Sequence, residues 1–105
     1  MKKSLLVASL LAFAMIPGAQ ASEALATKAG CMACHAKDKK VLGPSFRDVA
    51  AKYKDQKDIE AKLMDKVRKG GSGSFGPMPM SPNGPDKISD DDLKAVVEWI
   101  LKGAA

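Results

Sequence analysis

The chain has 105 residues, a formal net charge of +5, two cysteines and one histidine, and only 5% of its residues are aromatic. That length admits one small domain and no more, and so few aromatics leave any core short of bulky filler.

The first predicted element is a leader. Met1, Lys2 and Lys3 precede the apolar run Leu5 to Ile16, and Pro17, Gly18, Ala19, Gln20 and Ala21 follow it. A positive start, an apolar stretch too short to span a bilayer, and small residues at Ala19 and Ala21 predict a secretory signal peptide over residues 1–21, cut after Ala21. No later segment is apolar enough to cross a membrane and no cysteine stands at the cut, so neither a helical nor a lipid anchor is expected. The mature chain, Ser22 to Ala105, is then 84 of the 105 residues, and losing Lys2 and Lys3 lowers its charge from +5 to +3. Exported chains of that size commonly rely on a disulfide, a metal or another staple. A large apolar cofactor would supply what Phe46, Tyr53, Phe75 and Trp99 alone do not.

Four helical patterns follow, with no internal repeat and no domain boundary. Ser22 can cap a short helix that carries Leu25 and ends at Gly30, just before Cys31. After Gly43 and Pro44, Ser45 can cap a second, in which Phe46, Val49, Ala50 and Tyr53 share one face. Asp58 can cap a third, with Ile59, Leu63 and Val67 on its apolar face, a lysine-rich outer face, and Gly70 and Gly71 to stop it. In the fourth, Ser89 and Asp92 form a capping box ahead of the stripe Leu93, Val96, Val97, Ile100 and Leu101, and Lys102 and Gly103 end it.

Between the third and fourth helices lies a Gly-, Pro- and Ser-rich loop over residues 70–88, long for so small a domain. Its centre, FGPMPMSPNG, sets Met78 and Met80 among Pro77, Pro79 and Pro82. Prolines fix φ and remove backbone donors, so this stretch has a set shape as neither helix nor strand.

The motif that gives the loop a purpose is CMACH, residues 31–35, the CxxCH pattern of c-type haem attachment. Two thiols three residues apart on one turn reach the two vinyl groups of a haem, and His35 turns its imidazole to the iron. The alternatives are weaker on chemical grounds. A Cys31–Cys34 disulfide or thiol-redox pair would leave His35 adjacent by accident, and thioredoxin-like chemistry calls for a βαβ context where this chain has no strand alternation. A zinc site needs a third cysteine or a second histidine. A haem bound at His35 has a second axial position to fill. With no second histidine, both thiols consumed and Tyr53 within a helical apolar face, a methionine thioether is the natural donor. Met32 lies inside the CxxCH turn and Met64 on the third helix, which leaves Met78 and Met80.

GCMACH, VLGPSFRDVAAKY, the glycine run with FGPMPMSPNG, and the last helix through Glu98, Trp99 and Ile100 together resemble a small bacterial class I cytochrome c of the cytochrome c-551 type, over essentially the whole mature chain. The resemblance implies an all-α fold, about four helices wrapped compactly around one covalently bound haem c. It places the axial ligands on His35 and, through the G-P-x-P-M pattern, on Met80, with Met78 at an aliphatic position. It also implies that Pro44 offers its carbonyl to the free ring nitrogen of His35, and that Asn83 hydrogen-bonds near the methionine sulfur. Where many relatives have a tryptophan before the G-P pair, this chain has Phe75, which packs on the haem but cannot donate to a propionate. The segment Gly84 to Ile88 is slightly longer than usual.

The function expected is a periplasmic single-electron carrier, monomeric, with no catalytic activity of its own and no nucleic-acid partner. By resemblance its donor is a respiratory membrane complex, and its acceptor a nitrite reductase, a terminal oxidase or a peroxidase. The competing expectations are a small haem peroxidase or ligand-binding cytochrome with an open sixth position, and a thiol oxidoreductase.

Overall fold

The computed structural model describes residues 18–105, so the leader expected over residues 1–21 lies outside the described residues up to residue 17. The described residues form four α-helices, α1 (Gly18–Lys28), α2 (Phe46–Tyr53), α3 (Ile59–Lys69) and α4 (Asp90–Leu101), with one 3-10 turn at Cys31–Ala33. Among the described residues there is no strand, only an isolated antiparallel bridge between Gly71 and Met80. The architecture is the all-α one expected.

Helix α4 is the hub, packing against α1, α2 and α3 in turn. Its stripe explains this: Leu93, Val96 and Val97 are at most 2% exposed, and Trp99 and Ile100 complete the buried face. Burying each such aliphatic side chain contributes about 1.5–3 kcal/mol. Ala26 of α1, Phe46 of α2 and Ile88 join the same cluster. Polar groups fix how the helices start. Ser45 accepts from the Asp48 amide at 3.0 Å and Ser89 from the Asp92 amide at 3.2 Å, both satisfying donors that a helix N-terminus leaves free. Asp90, Asp91 and Asp92 stand in the first turn of α4, where the helix dipole favours negative charge.

Three local expectations are corrected. In the uncut chain α1 begins upstream at Gly18, so Ser22 stands within the helix and does not cap it; its hydroxyl donates to the Ala95 carbonyl of α4 at 3.4 Å. Helix α1 stops at Lys28, and Gly30 takes the left-handed conformation that turns the chain into the cysteine motif. Asp58 stands at the start of α3 with φ +60 and no side-chain capping bond; a short polar side chain tolerates that conformation.

Candidate functional site

Cys31, Met32 and Ala33 form the 3-10 turn, closed by the Cys34 and His35 amides, which both donate to the Cys31 carbonyl at 3.2 and 3.0 Å. The turn brings the two thiols and the imidazole into one short segment. Cys34 is exposed and Cys31 half-buried, and burial pushes the Cys31 thiol above its ordinary value. No disulfide joins Cys31 to Cys34.

His35 is held on three sides. Its Nδ1 lies 2.8 Å from the Pro44 carbonyl oxygen. That oxygen can only accept, so Nδ1 is the nitrogen that donates to it, and Nε2 is the nitrogen left for another partner. Phe46 stacks on the imidazole at 5.1 Å with an interplanar angle of 23°, and Trp99 meets Phe46 edge-on at 5.6 Å. The third contact is backbone: a Cβ at Gly43 would lie 2.6 Å from His35 Cε1, inside van der Waals contact. Gly43 is brought there by its amide, which donates to the Cys34 carbonyl at 2.8 Å. An imidazole oriented by a carbonyl, beside two cysteines on one turn, is the donor set that a covalently attached haem requires. Among the described residues no group of three His, Cys, Asp or Glu side chains is placed to hold a metal ion. The buried Trp99 Nε1 finds no acceptor among the described residues, so protein atoms alone leave that donor unpaired.

The methionine loop is anchored to the end of α3. Gly71 and Met80 exchange backbone hydrogen bonds at 2.9 Å in each direction. Gly70, at φ +67 and ψ −149, lies so close that a Cβ there would collide with the Met80 carbonyl and sit 2.9 Å from Pro82 N. Asn83 makes the second anchor. Its backbone amide donates to the Val67 carbonyl at 3.0 Å, and its side-chain Nδ2 donates to Val67 O at 3.3 Å and Ser81 O at 2.9 Å. Both Asn83 donors are therefore spent on carbonyls, one of them among the four that the end of α3 leaves free. Met80 is partly buried, whereas Met78 is 59% exposed.

Phe75 reaches back to α2. It packs edge-on against Tyr53 at 6.1 Å, and the Lys52 ammonium lies 4.4 Å above its ring while donating to the Ser74 carbonyl. Phe75 is thus tied to α2 through a cation–π contact. Sequence reasoning missed the partners of Gly43 and Gly70, the Phe46 stack and the bonds of Arg68 to the Asn83 and Ile88 carbonyls. The only signal available for the glycines was their placement beside Pro44 and at the end of the third helix.

The family model described as Cytochrome c matches residues 19–104. Cytochrome c2 of Rubrivivax gelatinosus is 54% identical over 78 residues, which cover 74% of this chain and 92% of that protein. Cytochrome c-551 of Pseudomonas aeruginosa is 42% identical over 83 residues, covering 79% of this chain and 77% of that one. The crystal structure of Nitrosomonas europaea cytochrome c552 superposes with a TM-score of 0.72 at 44% identity, over 77% of this chain and 98% of its own.

Proposed function

The chain belongs to the cytochrome c family, small electron carriers with a covalently bound haem c, and from that membership we propose that His35 and Met80 are the axial ligands of the haem iron in a periplasmic single-electron shuttle. The observation that carries the proposal is the double anchoring of Met80: its own backbone is paired with Gly71, and Asn83, just beyond it, is bonded to Val67. A thioether is a weak ligand, and a backbone already fixed reduces the entropy lost when sulfur binds iron.

Each residue then has a definite task. Cys31 and Cys34 would hold the haem through thioethers. Pro44 holds His35 by Nδ1, which would leave Nε2 to meet the iron, and Phe46 and Gly43 set the ring's plane. When bound, the haem supplies an iron that cycles between ferric and ferrous by one electron. With His35 and Met80 both serving as ligands, no open position would remain at the iron for peroxide or oxygen. Phe75 and the exposed Met78, Val41 and Leu42 supply apolar surface.

The leader over residues 1–21 directs the chain to the periplasm, where it works as a monomer. No described helix is long and apolar enough to cross a membrane. Its partners are redox proteins, with a respiratory membrane complex as donor and a nitrite reductase, terminal oxidase or peroxidase as acceptor. The test is spectroscopic: the ferric protein should show the weak near-infrared sulfur-to-iron charge-transfer band, and should bind cyanide slowly. Fast binding of cyanide to the ferric form, or of carbon monoxide to the ferrous form, with no such band would identify an open sixth position instead.

A further inference from the structure

Arg68 lies near the end of α3 and turns inward: its side chain is only 19% exposed although it carries a full charge. Nη1 donates to two backbone carbonyls, Ile88 O at 2.7 Å and Asn83 O at 3.2 Å, and Nη2 meets Asp90 Oδ1 at 2.6 Å. The two carbonyls flank the turn that follows the methionine loop, a turn closed by the Lys87 and Ile88 amides, which donate to Gly84 O at 3.0 and 3.3 Å. One guanidinium therefore spans the base of that turn, with Asn83 on one side and the start of α4 on the other.

Upstream of the turn, Asn83 is already bonded to the carbonyl of Val67, the neighbour of Arg68. Adjacent residues of α3 thus grip Asn83 from opposite sides, Val67 by accepting and Arg68 by donating. Met80 is tied to Asn83 through Ser81 and the stiff Pro82, so whatever holds Asn83 limits how far Met80 can move. Without Arg68, the turn over Gly84 to Ile88 would join the methionine loop to the α4 hub by its own two backbone bonds alone. We infer that Arg68 is a positioning residue for the axial ligand: by clasping the turn's two ends it sets how often the Met80 loop opens away from the iron. The inference rests on Met80 being that ligand.

Exogenous cyanide reports the opening, because it binds ferric iron only after the protein ligand leaves. In the holoprotein, Arg68→Met should raise the cyanide binding rate about tenfold, the cost of stranding two partly buried carbonyls that a charged donor had satisfied. Arg68→Lys keeps the charge as a point donor that cannot fork to both carbonyls, and should raise the rate by about threefold; if the methionine variant does not fold, this variant carries the test. Asp90→Ala should change the rate less than about twofold, because that carboxylate is 84% exposed and an exposed pair contributes little. A cyanide rate unchanged in both Arg68 variants, even with a lowered denaturation midpoint, would make Arg68 an ordinary stabilising contact and overturn the inference. So would an Asp90→Ala effect as large as that of Arg68→Met. A wild-type protein without the near-infrared band would overturn methionine ligation first, and the inference with it, so the two failures are told apart by that spectrum.

Discussion

Gly71 and Met80 exchange both backbone hydrogen bonds, each 2.9 Å long, so the residue proposed to ligate iron is fixed in space by the segment that ends α3. Met78 is flanked by Pro77 and Pro79, has no such partner among the described residues and is 59% exposed. Met80→Ala is therefore expected to abolish the near-infrared band and lower the reduction potential, since thioether ligation favours the ferrous state. Met78→Leu should keep the band with a stability change below about 1.5 kcal/mol. The reverse pattern in absorption spectra of the two variants would move the ligand to Met78.

Gly70→Ala tests the anchor itself. At φ +67 and ψ −149 an alanine is strained, and its Cβ would collide with the Met80 carbonyl. Strain of this kind costs about 1–3 kcal/mol before the collision is counted, so denaturant titration should show a loss of at least about 2 kcal/mol. The near-infrared band should weaken with it. Wild-type stability and an intact band would mean that the Gly70–Met80 approach does not constrain the loop.

On the histidine side, Gly43→Ala places a methyl group 2.6 Å from His35 Cε1, on a ring already held by Pro44 and Phe46. Overpacking at such a site costs about 1–3 kcal/mol. The midpoint of guanidinium unfolding should fall accordingly, and the reduction potential should shift as the imidazole is turned from its Pro44 acceptor. A variant that matched the wild type in both would show that the ring has freedom to move.

Haem attachment through CMACH leads to a third kind of measurement. The mature protein should be red, carry one haem that survives denaturation, and have no titratable thiol. The Cys31→Ala, Cys34→Ala double variant made without haem should lose most of its helical circular dichroism, because 84 of the 105 residues with few aromatics do not fill a core unaided. A colourless protein with a Cys31–Cys34 disulfide would contradict the whole assignment.

The lysines bear on partner recognition. Lys37 pairs with Glu23 at 3.2 Å and Lys52 is engaged by Ser74 and Phe75, but among the described residues Lys28, Lys39, Lys40, Lys54 and Lys57 are exposed and hold no ion pair. If an acidic partner is steered by them, electron transfer should slow as salt rises past about 0.1 M, where the Debye length is about 10 Å. Stopped-flow rates that stay flat or rise with salt would assign docking to the apolar surface of Val41, Leu42 and Met78 instead.

Much of this protein is written locally. CMACH specifies its turn and its chemistry because the three reactive groups are neighbours in sequence, and Ser45 and Ser89 announce their helices because each caps an amide three residues on. The stripe Leu93, Val96, Val97 and Ile100 declares its buried face by helical spacing alone. The same local logic failed at Ser22 and Asp58, where residues of the capping type stand but make no capping bond. Only the tertiary structure decided that Gly43 must be bare because His35 lies over it, that Gly70 and Gly71 serve Met80 as well as ending a helix, and that Arg68 bridges Asn83 and Ile88. Those relationships join segments far apart along the chain, and no periodicity or spacing encodes how closely two distant backbones approach once α4 has gathered the other helices around it.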